Sequence, residues 1–582
     1  MEAMPTTPAY WLKITIESST CKAAYPVKSD LSISSRHSAG HWLAWGAFAA
    51  IVAAYILCQV SGFSPAYAET DPDAYLFLAK RMALGQPLAV NTTDPFQYQH
   101  HMWVEAAPGQ VTSKYPPGYP ALMAIAYRLA GDRGMFMVSP IMGGLALIGA
   151  GLLFRLWLKP FSAVMALFTL ALLPEYSFYC AYLLSHATSL CLTTWGMYFL
   201  WRWLAQPKPG WGLAAGAALG ATVTVRPTDA LFVLPLVVVA AAGLWKGYRA
   251  GRMPWLAVTA MMGAWGVFVG LLAFYNYTQF GGLTVTGYAL SGEQGGFSLD
   301  YFINHFGRLT VLLPRNFLPV FFPLSLVGLL LWGPPVDRAV RLLWFFSIFI
   351  TYTSYYWVTE NWAWLRFLMS TLPVCIGSAY AMVDQFPASR AVRTGTILVL
   401  VSLFSSLNFA GLQNQVQGKP IGQNPQALAQ AAEQLALHIP SNAVIFSQAP
   451  MCYSMGQRAA YTLYELEAFN QNQGLDRFKT THTQRAETEP RRQPGRTLRM
   501  RAFYEKTTNT ELQNSKRMII DSNLKAGQAL VFFIPVRQYE TEKQILGEKY
   551  QWKTLAEWDV DREWSGRQGT LRWGLYSIGF KG

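Results

Sequence analysis

Glu69-Thr-Asp-Pro-Asp-Ala-Tyr-Leu-Phe-Leu-Ala-Lys-Arg-Met-Ala-Leu-Gly-Gln-Pro87 lies just beyond the first long apolar segment of the chain, residues 42–60. That position puts two carboxylates, Asp71 and Asp73, at a membrane surface. A helical pattern follows, with Tyr75, Leu76, Leu78, Ala79 and Met82 on one broad face. An acidic helix start at the rim of an apolar scaffold decides how the rest of the chain is read.

The scaffold is legible from composition. Of 582 residues, 52% are hydrophobic and 13% charged, against about 25% charge in an average soluble protein. Apolar runs long enough to cross a bilayer, which takes ~20 residues, recur from His41 to Gly411. We read spans at 42–60, 135–157, 161–183, 186–204, 211–225, 229–245, 255–275, 312–333, 342–358, 366–384 and 394–411, which makes 11. The expected fold is a polytopic α-helical membrane body over residues 41–411, preceded by a tail at 1–40 with no apolar signal-peptide core. Residues 412–582, rich in charges and amides, form a soluble domain. There a helix candidate (Asn424 to His438) is followed by strands at Ala443 to Ser447, Ala529 to Pro535 and Leu571 to Phe580, an α/β or α+β pattern. The arginine-rich stretch Gln484 to Arg501 reads as a solvated loop.

The formal charge of +14 raises the question of nucleic acid, but many of the cations occupy short loops between apolar runs, where topology explains them. Arg155 and Lys159, Arg202 and Lys208, Lys246, Arg249 and Arg252, Arg338 and Arg341, and Arg390 and Arg393 mark five consecutive turns as cytoplasmic. The expectation is a multi-pass protein of the plasma (inner) membrane, with a cytoplasmic N-terminus and an extracytoplasmic C-terminal domain. Six scattered cysteines without a CxxC give neither a disulfide framework nor a zinc site.

The same count places outside the 61–134 loop, the 276–311 loop and the turns at 184–185, 226–228 and 359–365. The first is too long for a connector; Tyr75 to Leu84 and Tyr119 to Leu129 read as amphipathic helices lying along the interface. Asp71, Asp73, His100, His101, Glu105, Lys114, Arg226, Asp229, Glu293, Arg315, Glu360 and Arg366 all gather on this side. Ionisable groups at membrane depth are costly and mark function. Trp357, Trp362 and Trp364 read as an interfacial belt.

Several motifs carry a resemblance. Asp71-Pro-Asp73-Ala-Tyr75 followed by Ala79 and Gly85, Lys114-Tyr-Pro-Pro-Gly-Tyr-Pro120, Gly220 to Pro235 with Arg226, Phe280-Gly-Gly282 to Tyr288, and Arg366-Phe-Leu-Met-Ser-Thr-Leu-Pro373 stand in order. Together they resemble the GT-C glycosyltransferases, in the branch of the protein O-mannosyltransferases and the lipid A aminoarabinose transferase. The resemblance implies an inverting transfer of a sugar from a polyprenyl-phosphate donor to a glycan, lipid or protein hydroxyl at the outer face of the membrane. It selects Asp71 as the base, with Asp73 orienting the acceptor or binding a metal. Lys114, Arg226, Arg366 and Arg315 become candidate binders of the leaving phosphate, and Tyr75, Glu105, Tyr288 and Glu293 candidate donor or acceptor contacts. The pattern names no certain cofactor and leaves room for a divalent cation, to which Asp73, His100 and His101 offer ligands. Two departures stand out: Pro72 separates the acids, and Ser113 precedes Lys114 where the aminoarabinose branch has an acid.

Each residue also has a plainer explanation. Asp before an apolar-periodic helix caps it, and interfacial Arg and Lys snorkel to headgroups. A transporter or flippase for a lipid-linked glycan, or a glycan polymerase or ligase, are the rival functions. The former predicts charge near the bilayer midplane and repeated halves, and neither is seen in the sequence.

Overall fold

The computed structural model describes residues 39–63, 70–92, 98, 102–356, 362–416, 439, 443–447, 460–462, 509–564 and 567–581. The tail at 1–38, His100, His101, Trp357, Glu360, the helix candidate at 424–438 and the basic stretch at 484–501 lie outside them.

The chain enters as α1 (Ala39–Ser61) and turns into α2 (Thr70–Leu84). A three-stranded sheet follows, β1 (Val90–Asn91), β2 (Trp103–Ala107) and β3 (Gln110–Ser113), in the order β1-β3-β2 and antiparallel throughout. The sequence reading had no strands here. It also expected α2 to lie on the membrane surface, yet Ala74, Leu76, Phe77, Leu78 and Ala79 are all fully buried. A helix covered on every side is a core element, and over residues 74–79 α2 is one, packed against α3 and β3.

α3 (Gly118–Trp157) joins the second expected surface helix to a span, with a kink at Ala130 and Gly131. Before the kink Ile125 and Leu129 are exposed while Tyr119 and Met123 are buried. α4 (Pro160–Leu172) and α5 (Pro174–Ala181) meet at 60°. Leu173 is held extended before Pro174, which forbids a continuous helix. α6 (His186–Ala205), α7 (Pro209–Val225), α8 (Val233–Arg249) after a 3₁₀ turn Pro227–Phe232, and α9 (Trp255–Phe280) complete the middle of the body. Gly212, Gly216 and Gly220 form one stripe of α7, and a side chain at Gly216 would strike the Met261 backbone of α9. Small residues at this spacing let two helices approach closely in lipid.

The expected outer loop at 276–311 is largely structured. It holds the short α10 (Gly287–Leu290), a 3₁₀ turn Glu293–Gly296 and α11 (Leu299–Leu312). The expected span at 312–333 is therefore not one rod. α11 with its π turn Leu313–Phe317 meets α12 (Phe321–Leu331) at 111°, across Leu318, Pro319 and a positive φ of 72° at Val320. α13 (Pro335–Thr353), a 3₁₀ segment Trp362–Thr371, α14 (Leu372–Gln385) and α15 (Arg390–Val416) follow. The run Trp364–Gln385, which ends in α14, is 83% buried over its apolar window, against 17% for α1 and α15. It therefore stands at the centre of the body, and they stand at its outside. Trp364 is fully buried, which removes it from the expected interfacial belt.

Among the described residues six helices are long and apolar enough to cross a membrane, or eight if each bent pair counts once. The remaining expected spans correspond to α6, α7 and α13, helices of 20, 17 and 19 residues that fall short in length or apolarity.

Beyond residue 440, β4 (Val444–Ser447), β5 (Ala460–Thr462), α16 (Asn509–Lys525), β6 (Leu530–Pro535), α17 (Val536–Leu546), β7 (Tyr550–Trp564) and β8 (Arg567–Phe580) build a five-stranded sheet in the order β5-β4-β6-β8-β7. β4 pairs in parallel with β5 and β6; β8 runs antiparallel to β6 and β7. The strands alternate faces. Val444, Phe446, Leu530 and Phe532 pack with Ile520 of α16, while Ile445, Val531, Phe533 and Leu575 join the cluster that continues through the helical body.

Candidate functional site

Asp71 and Asp73 occupy the first turn of α2, where a helix favours negative charge and tolerates Pro72. The capping explanation and the functional one are thus compatible. Their environments differ. Asp73 is fully buried. Asp71 is partly open: it accepts a 2.7 Å hydrogen bond from the Tyr115 hydroxyl, and Arg366 Nη2 lies 3.8 Å from its other oxygen. Burial and the neighbouring Asp71 carboxylate hold the Tyr115 hydroxyl well above the usual tyrosine range, so it stays a donor. Tyr75 stacks on Tyr115 at 4.2 Å between ring centroids, and its hydroxyl donates to Ser185 at the start of α6.

Lys114, at the end of β3, is buried and ion-paired with the buried Glu293. The Tyr115 and Tyr288 ring centroids stand 5.5 and 5.8 Å from its ammonium. The glycine-rich loop reaches Lys114 because Gly287 lacks a side chain; a Cβ there would collide with the Lys114 backbone. Glu293 is thereby brought from 179 residues away to the neighbourhood where Ser113 replaces the acid that the resembled branch carries. Burial is the first reason that Tyr288, like Tyr115, keeps its proton.

Arg226 follows the last residue of α7 and is buried. One of its terminal nitrogens is 3.0 Å from His186 Nδ1, and the other donates to the Tyr352 hydroxyl, which also contacts Thr228 at 2.7 Å. Phe367 joins the two arginines: its ring centroid is 5.6 Å from the Arg226 guanidinium carbon and 5.3 Å from that of Arg366. Lys114, Tyr115, Asp71, Arg366, Phe367, Arg226 and His186 thus form one contiguous series. A carboxylate open on one side, beside several fixed cations, can take a proton from a hydroxyl while negative charge develops on a neighbouring group.

Other expected residues stand apart. Glu105 is exposed on the β2–β3 hairpin and its carboxylate accepts the Gly109 N–H at 3.0 Å. Arg315 is exposed on the π turn after α11 and has no described contact with the series. Among the described residues no group of three His, Cys, Asp or Glu side chains is placed to hold a metal. Asp229 lies beneath Arg226, fully buried, and accepts a 2.5 Å bond from Ser189. Sequence reasoning assigned no part to Tyr115, His186, Tyr352 or Phe367. Tyr115 had a signal, being the residue inserted between Lys114 and the prolines. His186 had only its position beside an outer turn.

The long apolar helices, with a polar series built at one end of them, define a multi-pass membrane protein of the GT-C fold. A family model described as dolichyl-phosphate-mannose-protein mannosyltransferase matches residues 114–269, a region that includes Lys114, Tyr115, His186 and Arg226. Among solved structures the chain is similar to ArnT from Cupriavidus metallidurans, both bound to undecaprenyl phosphate and in the apo state. Identity is 14% and the TM-score 0.53 in each case, over 93% and 92% of this chain and 98% of that one. It is also similar to the mycobacterial arabinofuranosyltransferase AftD, with 13% identity and a TM-score of 0.49 over 92% of this chain and 41% of that one. No curated protein matches in sequence. The resemblance to the GT-C glycosyltransferases drawn from the motifs is thereby shown.

Proposed function

We propose that this protein is an inverting glycosyltransferase that moves a sugar from a polyprenyl-phosphate donor to an acceptor hydroxyl at the outer face of the membrane. The Asp71 carboxylate takes the hydroxyl proton as the acceptor oxygen bonds to the anomeric carbon. The bond from that carbon to the phosphate oxygen breaks, its electron pair leaves with the phosphate, and polyprenyl phosphate departs. Arg366, Arg226 and Lys114 stabilise the charge that develops there, and the prenyl chain runs between spans. Asp73, the second acid of the motif, is assigned to orienting the acceptor.

The observation that carries this reading is Asp71 itself, open on one side and fixed by Tyr115 and Arg366. Support also comes from the ArnT fold, whose solved structure holds undecaprenyl phosphate. The orientation, the eleven spans, the soluble C-terminal domain and the inner-membrane location belong to the same proposal; the spans rest on the apolar runs, the C-terminal domain on its composition, and the orientation on the basic turns.

The test is Asp71→Asn in purified protein given a panel of polyprenyl-phosphate sugars. Sugar release with acceptor glycosylation should fall by a factor of roughly 10²–10⁴, the usual weight of a general base, with thermal stability retained. Full activity in the variant ends the assignment of Asp71 as the base.

A further inference from the structure

We propose that His186 is a positioning residue for the donor phosphate: a neutral imidazole that fixes the Arg226 guanidinium without neutralising it. This rests on the proposed polyprenyl-phosphate donor and adds to it a residue that no motif contains.

A guanidinium has only donors. His186 Nδ1, 3.0 Å from Arg226 Nη1, is therefore the acceptor, and the ring proton sits on Nε2. A second neutral acceptor, the Tyr352 hydroxyl, takes the other arm of Arg226. Among the described residues no carboxylate lies within ion-pair distance of Arg226; Asp229, three residues on, attracts it through space, while its carboxylate accepts a hydrogen bond from Ser189.

The other two cations differ. Lys114 is paired with Glu293, and Arg366 lies against Asp71. Arg226 is thus the cation of the site that is held by two neutral hydrogen-bond acceptors with no carboxylate in direct contact. An arriving phosphate need not displace a carboxylate to use it.

The imidazole is itself fixed. His186 is buried, with the Tyr179 ring 6.1 Å and the Phe367 ring 5.6 Å away, both edge-on. Its place at the first position of α6, after Ser185, ties this arm of the phosphate site to the same turn that receives the Tyr75 hydroxyl. Base and phosphate receptor therefore share one mounting.

The experiment measures binding of undecaprenyl phosphate against undecaprenol to the full-length purified protein. The two probes share a chain and differ only in the phosphate. Wild type should prefer the phosphate. His186→Ala should cut that preference about tenfold, the scale of a lost hydrogen bond to a charged group. His186→Gln, whose amide oxygen still accepts, should restore most of it. In an Arg226→Ala background, His186→Ala should cost nothing further, because the imidazole acts only through the arginine.

An unchanged preference in His186→Ala overturns the inference. So does equal loss in the Gln and Ala variants, or an additive loss in the double variant, since each would make His186 scaffold. If wild type itself fails to distinguish phosphate from alcohol, the donor reading fails first and takes this inference with it.

Discussion

The helical body buries charge at both ends, and the two ends treat it differently. α13 spans the distance: Arg341 near its start and Tyr352 near its end are about 16 Å apart along the axis. Arg341 is almost fully buried, donates to the Trp332 carbonyl and lies 3.9 Å from the Trp332 ring centroid. Around it Trp157 packs against Trp201 and Trp332 at 4.8 and 5.7 Å. At the same end Asp384 accepts the Lys159 N–H and the Ser162 hydroxyl at 3.0 and 2.7 Å, which caps α4. These partners are chiefly backbone groups, indoles and a cap, to which Asp337 adds an electrostatic attraction for Arg341. At the Asp71 end the partners are hydroxyls, an imidazole and other ionised side chains. Charge bound to backbone holds helices in place, whereas charge bound to side chains that can change partner is available to a ligand.

The sharpest way to break this comparison is at Lys114. If it serves the phosphate, Lys114→Met should lower kcat/KM for the donor by roughly a hundredfold, the lower end of what one charge-stabilising donor contributes. It should also lower thermal stability, because Glu293 is left buried without its cation, a cost of about 3–5 kcal/mol. Adding Glu293→Gln should return most of the stability and none of the activity. Recovery of both would place Lys114 with Arg341, as scaffold. A smaller effect is expected at Tyr115. Tyr115→Phe removes only the hydroxyl that donates to Asp71, and transfer should fall about tenfold, as hydrogen bonds to charged groups imply. Steady-state rates at saturating donor read this directly; an unchanged kcat would mean that Asp71 needs no such support.

Which of these features the sequence disclosed follows from the range of the contacts. The membrane body was legible because apolar runs and basic turns are local signals. Asp71, Lys114, Arg226 and Arg366 stood inside resembled motifs, and the structure brings all four into one series. The bends were harder to see. The run 312–333 is mostly apolar, and although Pro314, Pro319 and Pro323 hint at breaks, none of them singles out Val320 as the place where the chain bends. Strands β1 to β3 are short and carry little periodicity. The partners of the charges were invisible for a different reason. Lys114 meets Glu293 across 179 residues and Arg226 meets Tyr352 across 126, and no spacing rule connects residues so distant. Glu105 was a candidate contact because the acid expected before Lys114 is missing, but the hairpin turns its carboxylate back on Gly109.

The smallest effect is expected at the opposite end, and it tests whether the two ends are separate at all. Arg341→Met keeps much of the side chain's length and lets the sulfur pack among Trp157, Trp332 and Trp344, a setting that suits a thioether. It removes the charge and the hydrogen bond to the Trp332 carbonyl. Arg341 also attracts Asp337, so its removal should lower the melting temperature, by less than at Lys114 because Asp337 is only partly buried, and donor kcat/KM should stay within about twofold of wild type. The same arginine changed to alanine leaves a cavity and should destabilise by more. α13 is the element through which any influence would travel, since it carries both Arg341 and the Tyr352 hydroxyl that holds Arg226. If Arg341→Met depresses transfer as far as Tyr115→Phe does while the melting temperature falls by less than at Lys114, the helix couples its two ends. Arg341 would then act on the site from about 16 Å away rather than only holding helices together.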